Sequence, residues 1–125
     1  MSDTLNTPGP FLICDLRVEW NRRPYVTFWR PNNANYAYPL VWAGDYTEAD
    51  VMKGGGYYTT VELGSLIRFP ILRSLVEPMA VAPEPGRIDG NTGPVIRNDS
   101  RMRAKLRKLA YQPALLAFAN AEASS

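Results

Sequence analysis

Apolar and polar residues alternate along Phe11–Trp20. Leu12, Cys14, Leu16, Val18 and Trp20 fall on one face, and Asp15, Arg17 and Glu19 on the other. A period of two predicts a β-strand with one face buried. Asn21-Arg22-Arg23-Pro24 is a turn, and Tyr25–Arg30, rich in aromatic and β-branched residues, predicts a second strand. The two make an antiparallel hairpin, which Pro31 ends because proline has no N–H for the ladder.

Beyond it, Asn32–Tyr38 reads as a loop, since asparagine tolerates left-handed backbone. Pro39–Ala43 reads as a short buried strand. Thr47 and Asp50 form a capping box that opens a helix running to Lys53 and stopping at Gly54-Gly55-Gly56. Tyr57–Glu62 and Gly64–Phe69 predict two more strands. Pro70 suits the first turn of a short helix through Val76, and Met79–Val81 a short extended piece. Pro83–Pro94 is a long loop dense in turn signals. Met102, Leu106, Leu109 and Ala110 recur at helical spacing behind a cap at Asn98, Asp99 or Ser100, and Pro113 divides this segment into helices near 100–111 and 113–121. The expected fold is α+β: a small antiparallel sheet of three to five strands with a short helix and a C-terminal helical segment. Residues 1–9 are expected to form a flexible N-terminus, 10–121 a single domain and 122–125 a tail.

Composition narrows the function classes. The 125 residues suit one domain, with 46% hydrophobic and 21% charged residues, both globular values. Cys14 is the only cysteine, so there is no internal disulfide, and its place between Leu12 and Leu16 predicts a buried thiol. The chain has no histidine. That removes Ser-His-Asp and Cys-His catalysis and histidine-ligated metals. Asp45, Glu48 and Asp50 suit a helix N-terminus better than a Mg²⁺ site. Gly54-Gly55-Gly56 and Gly90-Asn91-Thr92-Gly93 lack the Gly-Lys-Ser/Thr of a phosphate loop. No catalytic residue, metal or cofactor is expected, and no apolar run approaches membrane-spanning length.

Two features point to recognition. Phe28–Tyr46 holds six aromatic rings and three asparagines, and Trp20–Tyr58 holds ten of the fourteen Phe, Trp and Tyr residues. Tryptophan and tyrosine offer large contact area with few rotors to freeze. Trp29, Arg30, Asn33, Tyr36 and Tyr38 are therefore candidate partner-binding residues, although the same rings would equally fill a core. The second feature is a basic segment. Residues 97–108 carry six Arg or Lys against Asp99, a net of +5, while the rest of the chain nets −3. Arg101, Lys105 and Lys108 share one helical face with Arg103 beside it. This cluster suits phosphates or an acidic protein surface, and equally a solvated helix face. A homodimer through loop-displayed rings is a further option.

The order Trp29-Arg30-Pro31-x-Asn33-Ala34-x-Tyr36, Pro39-Leu40-x-Trp42-Ala43-Gly44-x-Tyr46 and Ile88-Asp89-Gly90-x-x-Gly93-Pro94-Val95 resembles small accessory proteins of tailed bacteriophages and prophages. The resemblance covers residues 25–97 and leaves the basic helix outside. It implies a setting, the cytoplasm of a bacterial host, and no functional residue. Proteins of that kind often inhibit a host defence or host enzyme by binding it. The leading expectation is thus a non-enzymatic inhibitor of a bacterial defence system, such as CRISPR–Cas, acting by protein–protein contact with a host protein or nucleoprotein complex. The alternatives are a nucleic-acid-binding accessory protein using the basic helix, and a small-ligand (nucleotide) binding or sequestering protein.

Overall fold

The alternating segment is a strand only over Phe11–Asp15 (β1). The computed structural model describes residues 8–54, 57–84 and 93–123, the side chains of 121–123 excepted. Residues 1–7, Gly55-Gly56, the stretch 85–92 within the expected loop, and 124–125 lie outside the described residues, as does the Ile88-Asp89-Gly90 part of the resemblance. Beyond β1 the chain bends, because the Asp15 carboxylate takes the Arg17 amide at 3.2 Å. Val18–Trp20 follows as a 3-10 turn that leaves Val18 exposed.

The expected hairpin is present. β2 (Thr27–Trp29) pairs antiparallel with β1, Cys14 opposite Phe28 and Asp15 opposite Thr27. It is shorter than expected because a distant segment takes the preceding residues: Val26 N donates to Ile96 O, and Tyr25 bridges Arg97. β3 (Tyr36–Ala37) lies against β2. Asn32, Asn33 and Asn35 do adopt positive φ, the geometry asparagine tolerates best among non-glycine residues. Pro39–Ala43 is not a strand. It forms consecutive turns, with Trp42 N bonded to Pro39 O and Ala43 N to Leu40 O, and Val41 and Trp42 face outward.

The capping box forms as expected. Thr47 Oγ1 accepts from Asp50 N and Asp50 Oδ2 from Thr47 N, each at 3.1 Å, ahead of α1 (Glu48–Gly54). β4 (Thr60–Glu62) and β5 (Ser65–Leu72) form a second hairpin. Pro70 lies within β5 rather than starting a helix, which begins instead at Arg73 as α2 (Arg73–Val76). The strand tolerates Pro70 because β4 reaches only to Arg68, so the missing N–H falls on an unpaired edge. Tyr111 closes that edge by donating its N–H to Pro70 O at 2.9 Å. Met79 ends a 3-10 turn (Glu77–Met79), and Val81 bridges Val95. Asp99 caps α3 (Ser100–Lys108), and α4 (Gln112–Ala123) follows.

The sheet order is β3-β2-β1-β5-β4, antiparallel throughout. Alternation gives it two covered faces. Leu12, Cys14, Leu16, Phe28, Phe69 and Ile71 pack with Leu106 of α3 and with Ala110. Phe11, Ile13 and Trp29 pack with Tyr46, Val51 and Tyr58 on the other side. Each fully buried side chain of this kind contributes roughly 1.5–3 kcal/mol. Burial pushes the Cys14 thiol well above its ordinary pKa, with the neighbouring Asp15 charge adding to it. Among the described residues no helix is long and apolar enough to cross a membrane.

The β4–β5 turn suggests a stabilising substitution. Leu63 and Gly64 both have positive φ, at 50° and 80°, and Leu63 is fully exposed. A two-residue turn of this kind favours Asn-Gly, and leucine there is strained without any contact in return. Leu63→Asn is expected to raise stability by about 1 kcal/mol, read as a higher midpoint in denaturant titration.

Candidate functional site

The second face of the sheet changes character along its length. At the Phe11 end it is a closed apolar core. At the Asp15 end the same alternation places Asp15, Thr27, Trp29, Tyr36 and Arg68 side by side, since Asp15 lies opposite both Thr27 and Arg68, and Trp29 opposite Tyr36. Asp15 is buried. Its carboxylate takes Arg17 as a fork, Nε to Oδ1 at 3.1 Å and Nη2 to Oδ2 at 2.7 Å. Oδ2 also accepts from Trp29 Nε1 at 3.1 Å and from Arg68 Nε at 3.2 Å. Burial by itself would raise the Asp15 pKa. The hydrogen bonds from Arg17 and Trp29 and the charges of Arg68 and Arg17 outweigh it and hold the carboxyl below its ordinary value. The same pairing raises the Arg17 pKa.

Held from beneath, the guanidinia lie on rings. Arg17 sits 3.8 Å from the Trp20 ring centre and Arg23 4.0 Å from the same ring, while Arg68 lies 5.0 Å from Trp29. The rings run on edge to face: Trp20 to Tyr36 at 4.8 Å, Tyr36 to Trp29 at 6.0 Å, and Trp29 to Tyr57 at 5.2 Å. Arg17 Nη2 also donates to the Tyr36 hydroxyl at 3.2 Å. Each partly exposed cation–π contact is worth about 0.5–1 kcal/mol. Their combined effect is to remove rotamer freedom from long side chains, which lowers the entropic cost of binding a partner.

The expected site residues separate into distinct environments. Trp29 is buried in the apolar core. Asn33 is exposed but tied to two tyrosines, its Oδ1 accepting from Tyr58 Oη at 2.8 Å and its N–H donating to Tyr46 Oη at 3.1 Å. Burial raises the Tyr46 pKa. Arg30 lies 4.7 Å over the exposed Trp42 ring, a separate patch. Tyr36 is exposed and central to the arginine face, and Tyr38 is half-buried, edge-on to Tyr25 at 5.8 Å. On α3, Arg101, Lys105 and Lys108 point to solvent. Arg103 turns inward and donates to Asn98 Oδ1 at 2.7 Å. Asn98 Nδ2 in turn donates to the carbonyls of Trp20, Asn21 and Arg23. One asparagine thus ties the basic helix to the turn that carries Trp20 and Arg23.

Sequence reasoning missed Asp15, Arg17, Trp20, Arg23 and Arg68 as a unit. Arg17 and Asp15 looked like the solvated side of an alternating strand, and Arg68 lies 53 positions from Asp15. The available signal was Asp15, an acid within the most apolar part of a segment that goes on to arginines and rings. The crevice and groove beside this unit are lined by Arg17, Arg23 and Arg103, and Asp15 is the one carboxylate among their lining residues. The lining of the two therefore carries three cationic side chains against one carboxylate.

Among the described residues, no three His, Cys, Asp or Glu side chains gather as a metal site. Among the described residues, the buried side-chain N and O atoms without a hydrogen-bond partner are the hydroxyls of Thr27 and Thr59. Leaving a buried donor unmatched costs about 1–3 kcal/mol. Thr27 lines the groove beside Arg23 and Tyr36, whereas Thr59 lines an apolar groove between β4 and α4. Comparison with protein-family models, with curated proteins and with solved structures finds no match.

Proposed function

We propose that this chain is a non-enzymatic, phage-encoded inhibitor that acts in the host cytoplasm by binding an acidic protein surface of a bacterial defence complex. One observation carries the binding mode: Arg17 and Arg68 are locked on a buried carboxylate and, with Arg23, laid against aromatic rings, leaving a cationic face with little freedom left to lose. Arginine suits planar, bidentate engagement of carboxylates. Charge complementarity of this sort adds on-rate and specificity as well as affinity. The phage and host setting rests on the resemblance over residues 25–97, and the choice of a defence complex follows from that setting.

Protein is favoured over nucleic acid by the arrangement of the rings. They pack edge-on against one another, and two guanidinia already lie on Trp20. Single-strand binders need open ring faces for bases to stack on.

The test is affinity purification from the bacterial host, with and without nuclease, using wild type and Arg23→Glu. A nuclease-resistant protein partner is expected, with its affinity reduced roughly 10–100-fold in Arg23→Glu. Recovery of nucleic acid alone, with every partner lost to nuclease, overturns the reading. So does full retention of the partner by Arg23→Glu.

A further inference from the structure

We propose that the groove lined by Arg23, Thr27, Asn35, Tyr36 and Tyr38 is an oxyanion site that takes a carboxylate or a phosphate group. The inference rests on the arginine face being the contact surface, and names the chemical group that enters it.

The groove lies over the open ends of β2 and β3. Extending the pairs Phe28–Ala37 and Trp29–Tyr36 by one step brings Thr27 beside Tyr38, on the same face as Tyr36. Its volume is about 290 Å³, enough for one ring with its charged substituent and near the lower end of ligand-site sizes. No acidic residue lines it.

Its polar groups are mostly donors. Arg23 has no carboxylate partner among the described residues. Its guanidinium lies 4.0 Å from the Trp20 ring centre, a contact that occupies none of its N–H groups with an acceptor oxygen. Asn35 Oδ1 accepts from Tyr36 N at 3.0 Å, which fixes the Asn35 amide nitrogen as the outward donor. The Thr27 hydroxyl is buried and without a partner, and Thr27 lines this groove, so a ligand oxygen there offers the hydroxyl the acceptor it lacks. The Tyr36 and Tyr38 side chains line the rest of the groove.

This donor set fits a carboxylate or a phosphate equally, and the source is either an acidic or phosphorylated side chain of the partner or a free mononucleotide. Thr59, with the other unpartnered hydroxyl, sits among Val61, Leu66, Leu115 and Phe118, a setting with no charge to select a ligand.

The test is NMR titration of the intact ¹⁵N-labelled chain with benzoate, phenyl phosphate and the neutral isostere benzamide. Saturable shifts are expected at Thr27, Asn35, Tyr36 and Tyr38 amides and at Arg23 Nε for both acids, with benzamide at least tenfold weaker. Arg23→Gln should weaken both acids tenfold or more. Thr27→Val, which removes the hydroxyl at constant shape, should weaken them at least threefold without lowering the melting temperature. Absence of saturable shifts at these positions, benzamide binding as well as benzoate, or unchanged affinity in Arg23→Gln overturns the site.

Blocked glutamate and 5′-AMP then distinguish the source. Either may bind more tightly with the site upheld, the tighter one naming the natural class. Should the probes fail while Arg23→Glu still loses its protein partner, the groove assignment falls and the arginine face stands. Should the probes bind while no protein partner is captured, the proposed function falls and the groove stands.

Discussion

Asp15→Asn is expected to cost about 2–4 kcal/mol of stability at neutral pH, and to disorder the arginine face in the protein that remains folded. The magnitude is that of breaking a buried ion pair, reduced because Arg17 and Arg68 keep about a fifth of their side-chain surface in water. The chemistry is a mismatch of donors. Asp15 accepts from Arg17 N, Nε and Nη2, from Trp29 Nε1 and from Arg68 Nε. Asparagine offers one acceptor oxygen and turns an NH₂ group toward those same donors.

The pH dependence follows from the direction of the Asp15 shift. Its folded pKa lies below the ordinary value of 3.8. Its contribution is therefore fully present above the unfolded pKa and is lost as pH falls through the folded one. Denaturant titrations of wild type and Asp15→Asn should differ most at pH 5–7 and begin to converge only as pH falls below ~4. A difference under about 1 kcal/mol at pH 7 would show that the carboxylate is not what orders the guanidinia.

The same residue shows why the fold was more legible than the site. Alternation along Phe11–Asp15, the Asn-rich turn, the Thr47–Asp50 capping box and the period of α3 are local signals, and each appears in the structure where expected. The strand expected to run on to Trp20 stops at Asp15, and Pro39–Ala43 folds into turns, both through local bonds. Other elements changed where a distant partner decided the outcome. Tyr25 and Val26 are claimed by Arg97 and Ile96, and Pro70 stays in a strand because β4 ends before reaching it. Alternation correctly put Asp15 opposite Leu12 and Cys14, but a polar face is assumed to meet solvent, and this sheet is covered on both sides. That assumption concealed the Asp15 cluster. Asn33 stands out on other grounds, its place in the aromatic-asparagine loop, and its carboxamide oxygen is already taken by the Tyr58 hydroxyl.

Trp29 and Trp20 should respond oppositely to truncation. Trp29→Ala is expected to cost about 3–5 kcal/mol, since the ring is buried against Tyr36, Tyr57 and Tyr58 and its N–H helps to satisfy Asp15. Any loss of partner binding in that variant would follow from loss of the fold. Trp29→Phe, which keeps a ring and gives up one hydrogen bond, should stay folded and keep its partner. Trp20 is half-buried, and its contacts are largely the two guanidinia and Tyr36. Trp20→Ala should cost only about 1–2 kcal/mol of stability, yet weaken partner binding roughly 30-fold or more, the size of an interface hot spot. It removes the ring against which Arg23 lies, so that guanidinium must be ordered again on binding, while Arg17 keeps its fork on Asp15 but loses its ring. Calorimetric melting with binding titration of the purified partner separates the two effects. If Trp29→Phe melts normally but loses the partner, the contact surface extends inward along the ring chain to Trp29. If Trp20→Ala binds as wild type, the cationic face owes nothing to its aromatic support, and the preorganisation on which the binding mode depends is absent.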